Sequence, residues 1–209
     1  TFQQFMLAVV SASDALMVGV IGQDLLSAVS LASQITFVYN LFLAAMTIGT
    51  SMFAAQYWGK GDKDGVERVL GIVLRSSMSV SFLFFIGATF LSEPLMRIFT
   101  SDPELIRYGI QYLQIVGVTY LLCGISQIYL CIMKNSNLAS MSMIISSSAA
   151  FLNIILNAVL IYGLFGAPRM ETAGAAAATA IARVVELLWV LWELRKAGRV
   201  KIRFLYICR

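Results

Sequence analysis

Long apolar stretches, separated by short polar segments, follow one another along the whole chain. Most of them reach or exceed the roughly 20 residues that a helix needs to cross about 30 Å of hydrocarbon. Backbone groups in lipid must be satisfied within their own segment, so these stretches predict helices. We therefore predict an all-α integral membrane bundle of six helices, spans 1 to 6, at residues 1–21, 29–57, 69–91, 105–133, 138–165 and 172–194.

The polar segments carry signals for helix boundaries. Asp62 is placed to cap a short helix that runs through Arg68, ahead of span 3. Asp102 and Pro103 supply an N-cap and a first-turn proline at the start of span 4. Residues 92–100 predict a short helix at the opposite membrane interface.

The distribution of charged residues predicts how the bundle is oriented in the membrane. Of the 209 residues 12% are charged, against about 25% in soluble domains. Three basic residues lie on one side of the predicted bundle, namely Arg97, Arg107 and Arg169. Eleven lie on the side of both termini: Lys60, Lys63, Arg68, Arg75, Lys134, Arg195, Lys196, Arg199, Lys201, Arg203 and Arg209. The positive-inside rule then predicts cytoplasmic termini and a multi-pass protein of the plasma (inner) membrane.

The basic residues also indicate which binding partners the chain requires. The net charge of +4 needs no nucleic acid to explain it, because the basic segment 196–209 can meet anionic lipid headgroups. The sequence has no His, and its three Cys lack disulfide or zinc spacing. We therefore expect no enzyme, no cofactor and no resident metal.

Asp14 is a carboxylate within the apolar residues of span 1. At bilayer depth it costs about 2.5–3.5 kcal/mol, so it requires a partner, a proton, a bound cation or a wet cavity. Each of these favours transport. The alternative is that Asp14 lies near the end of its span and reaches headgroup water.

Three further polar residues lie at the depth of Asp14. Asp14 precedes the outer end of span 1 by about seven residues, or ~10 Å. Asn157 lies at a similar depth in span 5, with Asn153 one turn deeper, and Thr179 lies about seven residues into span 6. A carboxylate, two amides and a hydroxyl suit a proton relay or a hard monovalent cation such as Na⁺. The alternative is an ordinary interhelical hydrogen-bond cluster.

Two more intramembrane features have open interpretations. A polar stripe at helical spacing in span 2 either lines a wet cavity or packs against a neighbouring helix. Arg183 and Glu186, near the middle of span 6, are spaced to pair along the helix. That pair is either structural or part of gating and coupling. The stripe comprises Thr36, Tyr39, Asn40, Thr47 and Ser51.

Four motifs in order resemble those of the MATE (multidrug and toxic compound extrusion) transporters. They cover nearly the whole chain and are specific together, although each is weak alone. They are D-x-x-M-V-G at 14–19, Q-x-x-G-x-G-D at 56–62, L-N-I-I-L-D at 152–157 and G-A-A-x-A-T at 174–179, the third with Asn at its last position here.

The resemblance implies twelve spans in two lobes, of which this chain matches the N-terminal one. It implies a secondary antiporter that exports organic cations or other amphiphiles in exchange for H⁺ or Na⁺. In relatives with a cation site in this lobe, the ligands match Asp14, Asn153, Asn157 and Thr179. Many such relatives have a second Asp where this chain has Asn157, so the site carries one formal charge instead of two. The implied partners are membrane lipid, an amphiphilic substrate, and a missing C-terminal lobe or a second copy.

Two other functions are weighed against this one. A lipid or oligosaccharide flippase would be expected to carry several cationic cavity residues, whereas Arg183 is the only central one. A non-transporting membrane scaffold would leave Asp14 as a cost without a use.

Overall fold

The computed structural model describes residues 9, 12–13, 16–20, 22–163, 171–196 and 200. Five of the described helices are long and apolar enough to cross a membrane, and they correspond to predicted spans 2 to 6. Most of span 1, Asp14 included, lies outside the described residues, as do Arg169 and most of segment 196–209; residues 16–20 are helical. The helices are α1 Gln23–Gly59, α2 Lys63–Phe90, α3 Ser92–Phe99, α4 Pro103–Asn135, α5 Ala139–Tyr162 and α6 Glu171–Leu194.

The start of α2 differs from the sequence-based prediction. Asp62 does cap a helix, because its Oδ1 accepts a hydrogen bond from the Gly65 amide at 2.9 Å. That helix does not end near Arg68 but continues unbroken to Phe90. The physical reason is burial, since Val66 and Leu70 lie on one packed face and hold the polar first turns in line with the apolar ones.

The other predicted boundary signals have counterparts in the structure. Asp102 Oδ1 accepts a hydrogen bond from the Glu104 amide at 2.9 Å, and Pro103 opens α4. The short helix predicted at 92–100 is α3. Asp62 and Asp102 thus each cap a helix that begins after a brief turn.

Helix α4 lies at the centre of the bundle and packs against every other labelled helix. Its glycines permit close approach. A Cβ added at Gly124 would lie 2.2 Å from Ser81 Oγ, and the Ser77 hydroxyl donates to the Gly124 carbonyl at 2.9 Å. Small residues at such a seam are typical of membrane bundles, where backbones pack without a hydrophobic driving force between helices.

One end of the bundle, which we call the basic end, carries Lys60, Lys63, Lys134 and Arg195. A buried apolar cluster closes it, with residues from all five long helices. Val200, within the predicted basic segment, belongs to that cluster, and its carbonyl accepts a hydrogen bond from the Tyr129 hydroxyl at 3.0 Å. The fold thus places the basic turns together at one end and Arg97 and Arg107 at the other.

Candidate functional site

Three polar side chains predicted to lie at one depth meet where α5 packs on α6. Asn157 Nδ2 donates to Asn153 Oδ1 at 3.1 Å, and Asn153 Nδ2 donates to Thr179 Oγ1 at 3.2 Å. The Thr179 hydroxyl in turn donates to the Ala175 carbonyl at 3.1 Å. We call Asn157, Asn153 and Thr179 the amide relay. Both amides are buried, with Asn157 fully so.

The local sequence explains this geometry. Asn153 and Asn157 are four residues apart, so they share one face of α5. The facing part of α6 is rich in alanine, and Ala175, Ala176 and Ala178 are buried. Small side chains let α6 approach α5 closely enough for Thr179 to meet Asn153 directly.

The described part of span 1 packs against the two helices that carry the amide relay. The Tyr162 hydroxyl of α5 donates to the Met17 carbonyl at 3.3 Å. Val18 is buried in a cluster with Ile161 of α5 and Ala175 of α6. Met17 follows Asp14 by three residues in the sequence. The span that carries the predicted carboxylate therefore contacts both helices that form the relay.

The N-terminal part of the predicted polar stripe, Thr36 and Tyr39, packs against α4. Thr36 Oγ1 and the Tyr120 hydroxyl are hydrogen-bonded at 2.9 Å. Tyr39 is buried, and its hydroxyl donates to the Tyr120 carbonyl at 2.7 Å. Because the Tyr39 proton is used there, the Ser81 hydroxyl, at 2.8 Å, donates to the Tyr39 oxygen. These contacts tie α1, α2 and α4 together.

The C-terminal part of the stripe, Thr47 and Ser51, makes similar contacts with α4. Asn135 Nδ2 donates to Ser51 Oγ at 3.1 Å, and the Cys131 thiol donates to the Thr47 carbonyl at 3.3 Å. The Thr47 hydroxyl bonds within its own helix, to the Ala44 carbonyl. Of the five stripe residues Asn40 is the exposed one. Most of the stripe therefore serves helix packing in this lobe, and Asn40 faces outward.

Arg183 and Glu186 form an ion pair within the membrane-spanning part of α6. Arg183 Nη1 and Glu186 Oε2 are 2.7 Å apart. The second carboxylate oxygen, Oε1, accepts a hydrogen bond from Gln127 Nε2 of α4 at 2.8 Å. The Glu186 side chain is 1% exposed, whereas that of Arg183 is 24% exposed. The carboxylate is thus held on both oxygens, and the guanidinium is partly open.

Gln127 is the member of this cluster that the sequence analysis missed. It stands among apolar residues of α4, where an unpaired amide would be costly. This cost indicates from the sequence that Gln127 has a polar partner. It does not indicate which one, because an amide in a span can pair with many kinds of residue. Only the fold shows that its partner is Glu186.

A further pair lies near the basic end. Glu193 is fully buried and pairs with Lys196, whose ammonium lies 4.1 Å from the centre of the Trp192 ring. Contacts of this kind anchor a helix end at a membrane interface. We assign it to the packing of α6 and not to the site.

The fold and the site define a multi-pass, all-helical membrane protein with a buried polar cluster inside the bundle. The chain belongs to the MatE family, whose model matches residues 1–159. Multidrug resistance protein PmpM of Pseudomonas aeruginosa is 28% identical over 185 residues, which are 88% of this chain and 39% of PmpM. The chain spans about 40% of the length of the curated relatives it matches.

Solved structures share the fold. A multidrug resistance MATE family transporter in an outward-facing conformation matches with a TM-score of 0.85 and 22% identity, over 97% of this chain and 44% of that one. An inward-facing conformation of such a transporter matches with a TM-score of 0.83 and 24% identity, over 94% and 44%. This coverage is consistent with the N-terminal lobe of a two-lobed transporter.

Proposed function

We propose that this chain is the N-terminal lobe of a secondary antiporter that exports organic cations or other amphiphiles in exchange for H⁺ or Na⁺. The observation that carries the proposal is the buried amide relay between α5 and α6, two helices that both contact the span that bears Asp14. A carboxylate in a span is costly unless it binds a proton or a cation. Family membership and the similarity to PmpM, a multidrug resistance protein, support efflux as the direction of transport.

In this proposal Asp14 is the charged member of the coupling site and the amide relay supplies neutral oxygen and nitrogen groups around it. When the coupling cation binds Asp14, release of the substrate becomes favourable. The two lobes then rock about a central cavity, which gives alternating access. The lobe fold matches both an outward-facing and an inward-facing structure nearly equally well, and this supports a rigid lobe that moves as a unit.

The relay as it stands suits a proton at least as well as Na⁺. Asn153 Oδ1 already accepts a hydrogen bond from Asn157, and Thr179 Oγ1 accepts one from Asn153. A bound Na⁺ would need several of these oxygens to turn toward it, because hard cations are bound by multiple oxygen ligands. A proton needs no set of oxygen ligands of this kind, so both ions belong in the test.

The test is efflux of a fluorescent organic cation from proteoliposomes that contain the full-length protein. A pH gradient or a Na⁺ gradient is imposed in separate runs, with the wild type and Asp14→Asn compared. We expect Asp14→Asn to reduce gradient-driven efflux at least about tenfold, because the substituted amide can no longer bind a proton or carry charge. Asp24→Asn is the matched control, since Asp24 is exposed in the first turn of α1. Wild-type efflux by Asp14→Asn, with unchanged ion dependence, would remove Asp14 from the mechanism.

A further inference from the structure

A groove of about 650 Å³ lies between α3 and the first two turns of α4, at the end of the bundle opposite the basic end. We call it the α3–α4 groove. Arg97 of α3 and Arg107 of α4 both line it, together with two half-buried isoleucines, Ile106 and Ile110. The sequence places three basic residues on this side of the bundle, so two of the three line one groove. Cationic and apolar side chains therefore meet there.

The position of the groove along the helices places it at the membrane interface. Helix α4 is apolar enough to cross a membrane and begins at Pro103. At 1.5 Å per residue, Ile106 lies ~5 Å and Ile110 ~10 Å from that start. Helix α3 exposes Ile98 and Phe99, apolar residues of the kind that a helix lying in the interface buries in lipid. The groove therefore runs from the level of the headgroups toward the hydrocarbon.

The Arg97 guanidinium is held in place and keeps free donors. Its Nε and Nη2 groups donate to Glu93 Oε1 at 3.1 and 2.7 Å. Within the described residues its Nη1 group donates to no protein atom, and the side chain is 68% exposed. Arginine carries its five N–H donors in a fixed planar fork. The two Nη1 hydrogens of Arg97 are therefore available to a ligand in the groove.

Arg107 and Thr100 supply further donors. Arg107 is exposed, and its Nη2 donates to the Tyr108 hydroxyl at 3.2 Å, which leaves the rest of the fork open. The Thr100 oxygen, which also lines the groove, accepts a hydrogen bond from the Asp102 amide at 3.2 Å. Its hydroxyl hydrogen remains to be donated. Two guanidinium groups and a hydroxyl form a donor set that suits phosphate oxygens.

The charge of the groove favours one class of ligand. Its charged lining residues are two arginines, Arg97 and Arg107, and one carboxylate, Glu93, which gives a net charge of +1. Asp102 and Glu104 are close in sequence but do not line the groove, and Asp102 caps α4. A phosphodiester carries one negative charge. A headgroup with a net charge of −1 therefore neutralises the lining, whereas a zwitterionic headgroup does not.

We propose that the α3–α4 groove binds an anionic phospholipid. Its phosphate lies between Arg97 and Arg107, and the first part of an acyl chain follows Ile106 and Ile110 into the membrane. A free phosphate ion would use the arginines and leave the isoleucines without a ligand, which favours the lipid. The bound lipid bridges α3 and α4 and so holds the short helix against the long one. This binding does not depend on the efflux proposed above.

The experiment uses the full-length protein in phosphatidylcholine nanodiscs, with a fluorophore on Glu104→Cys in a cysteine-free background. Glu104 is exposed in the first turn of α4 and does not line the groove. Phosphatidylglycerol with a nitroxide near the headgroup end of one acyl chain, which quenches nearby fluorophores, is added at increasing mole fraction. Phosphatidylcholine with the same nitroxide is the reference lipid. Half-maximal quenching is expected at a lower mole fraction of phosphatidylglycerol, and the ratio of the two mole fractions measures the preference.

Two double variants that lose the same charge separate this site from general attraction to anionic lipid. Arg97→Gln with Arg107→Gln removes the proposed phosphate donors, which are exposed side chains. It should lower the preference for phosphatidylglycerol at least about tenfold, because two basic residues near anionic lipid together contribute about that much or more. The matched control is Lys60→Gln with Lys63→Gln, which removes two exposed lysines at the basic end. The control should keep the preference of the unsubstituted protein.

Inorganic phosphate distinguishes the two sources of the ligand. Added in excess and compared with NaCl at equal ionic strength, it is expected to leave quenching by phosphatidylglycerol unchanged. Relief of quenching beyond that caused by NaCl would identify a site for free phosphate and overturn the lipid assignment. The inference would also be overturned by an unchanged preference in the Arg97/Arg107 variant, or by an equal loss in the Lys60/Lys63 variant.

Discussion

Asn157 is a buried, uncharged residue of the amide relay between α5 and α6. It is fully buried and donates a hydrogen bond to Asn153, and an aspartate at this position would add a second carboxylate to the proposed coupling site. Asn157→Asp should strengthen the dependence of efflux on Na⁺, since ligand charge is one determinant of cation affinity. If repulsion from Asp14 instead favours a shared proton, the dependence on pH should steepen.

The measurement for this variant is the initial rate of efflux as a function of Na⁺ concentration and of pH, with Asp14 intact. Asn153→Asp is the paired variant, because it places the new carboxylate one turn away in the same relay. An ion profile of Asn157→Asp identical to that of the wild type would place residue 157 outside the coupling site.

The contrast between Asn153 and Gln127 shows what the sequence could predict at this scale. Asn153, Asn157 and Thr179 were found from helical spacing and depth alone, because residues four apart share a face and spans of known direction have known levels. Gln127 meets Glu186 across 59 positions of sequence, and no periodicity within α4 identifies that partner. The depth of a residue in the membrane follows from its position along its own helix. Its hydrogen-bond partner depends on how two helices are rotated relative to each other.

At the scale of elements, the seam between α2 and α4 depends on Gly124. A Cβ there would contact Ser81 at both Oγ and Cβ, at 2.2 and 3.1 Å. Gly124→Leu should therefore force the helices apart and lower the free energy of unfolding by about 1–3 kcal/mol, as overpacking of a tight core typically does. The expected observation is a lower midpoint of thermal unfolding for the purified full-length protein in detergent.

Gly49→Leu is the matched control for this prediction. Gly49 lies in α1, and an added Cβ there would meet nothing within 4 Å. The control should unfold at or above the wild-type midpoint, because leucine has the higher helix propensity. Equal midpoints for Gly124→Leu and Gly49→Leu would contradict the close packing described for α4.

The sequence predicted the positions of the long helices better than it predicted where each helix ends. Asp102 and Pro103 marked the start of α4 correctly, because capping is a local interaction. The end predicted near Arg68 was wrong, because burial of Val66 and Leu70 continues the helix through a polar segment. Local signals therefore fix where a helix begins, and tertiary packing decides whether it stops.

At the scale of the whole molecule, the basic end should face the cytoplasm. Lys63 lies at that end and Arg107 at the other, and both are exposed. In a cysteine-free full-length background, Lys63→Cys should react with a membrane-impermeant thiol reagent only after the cell is opened, and Arg107→Cys should react in intact cells. The reverse pattern would overturn the proposed orientation.

Residues 1–209 alone should not transport. The proposed central cavity lies between two lobes, and α1 presents the exposed Asn40 among apolar residues on a face that a second lobe would cover. The isolated segment should aggregate or pair with itself, since polar groups that face hydrocarbon are costly. Robust gradient-driven efflux from a reconstituted species shown to be monomeric would refute the two-lobed account.

The central claim, that a cation bound in this lobe is exchanged for substrate, is tested most directly by displacement. Purified full-length protein is placed in weakly buffered detergent solution, a cationic amphiphile is added, and released protons are measured with a pH electrode; radiolabelled Na⁺ replaces protons in a parallel run. The wild type is expected to release one of the two cations when substrate is added, and Asp14→Asn is expected to release neither. Substrate binding by the wild type without release of either cation would contradict it.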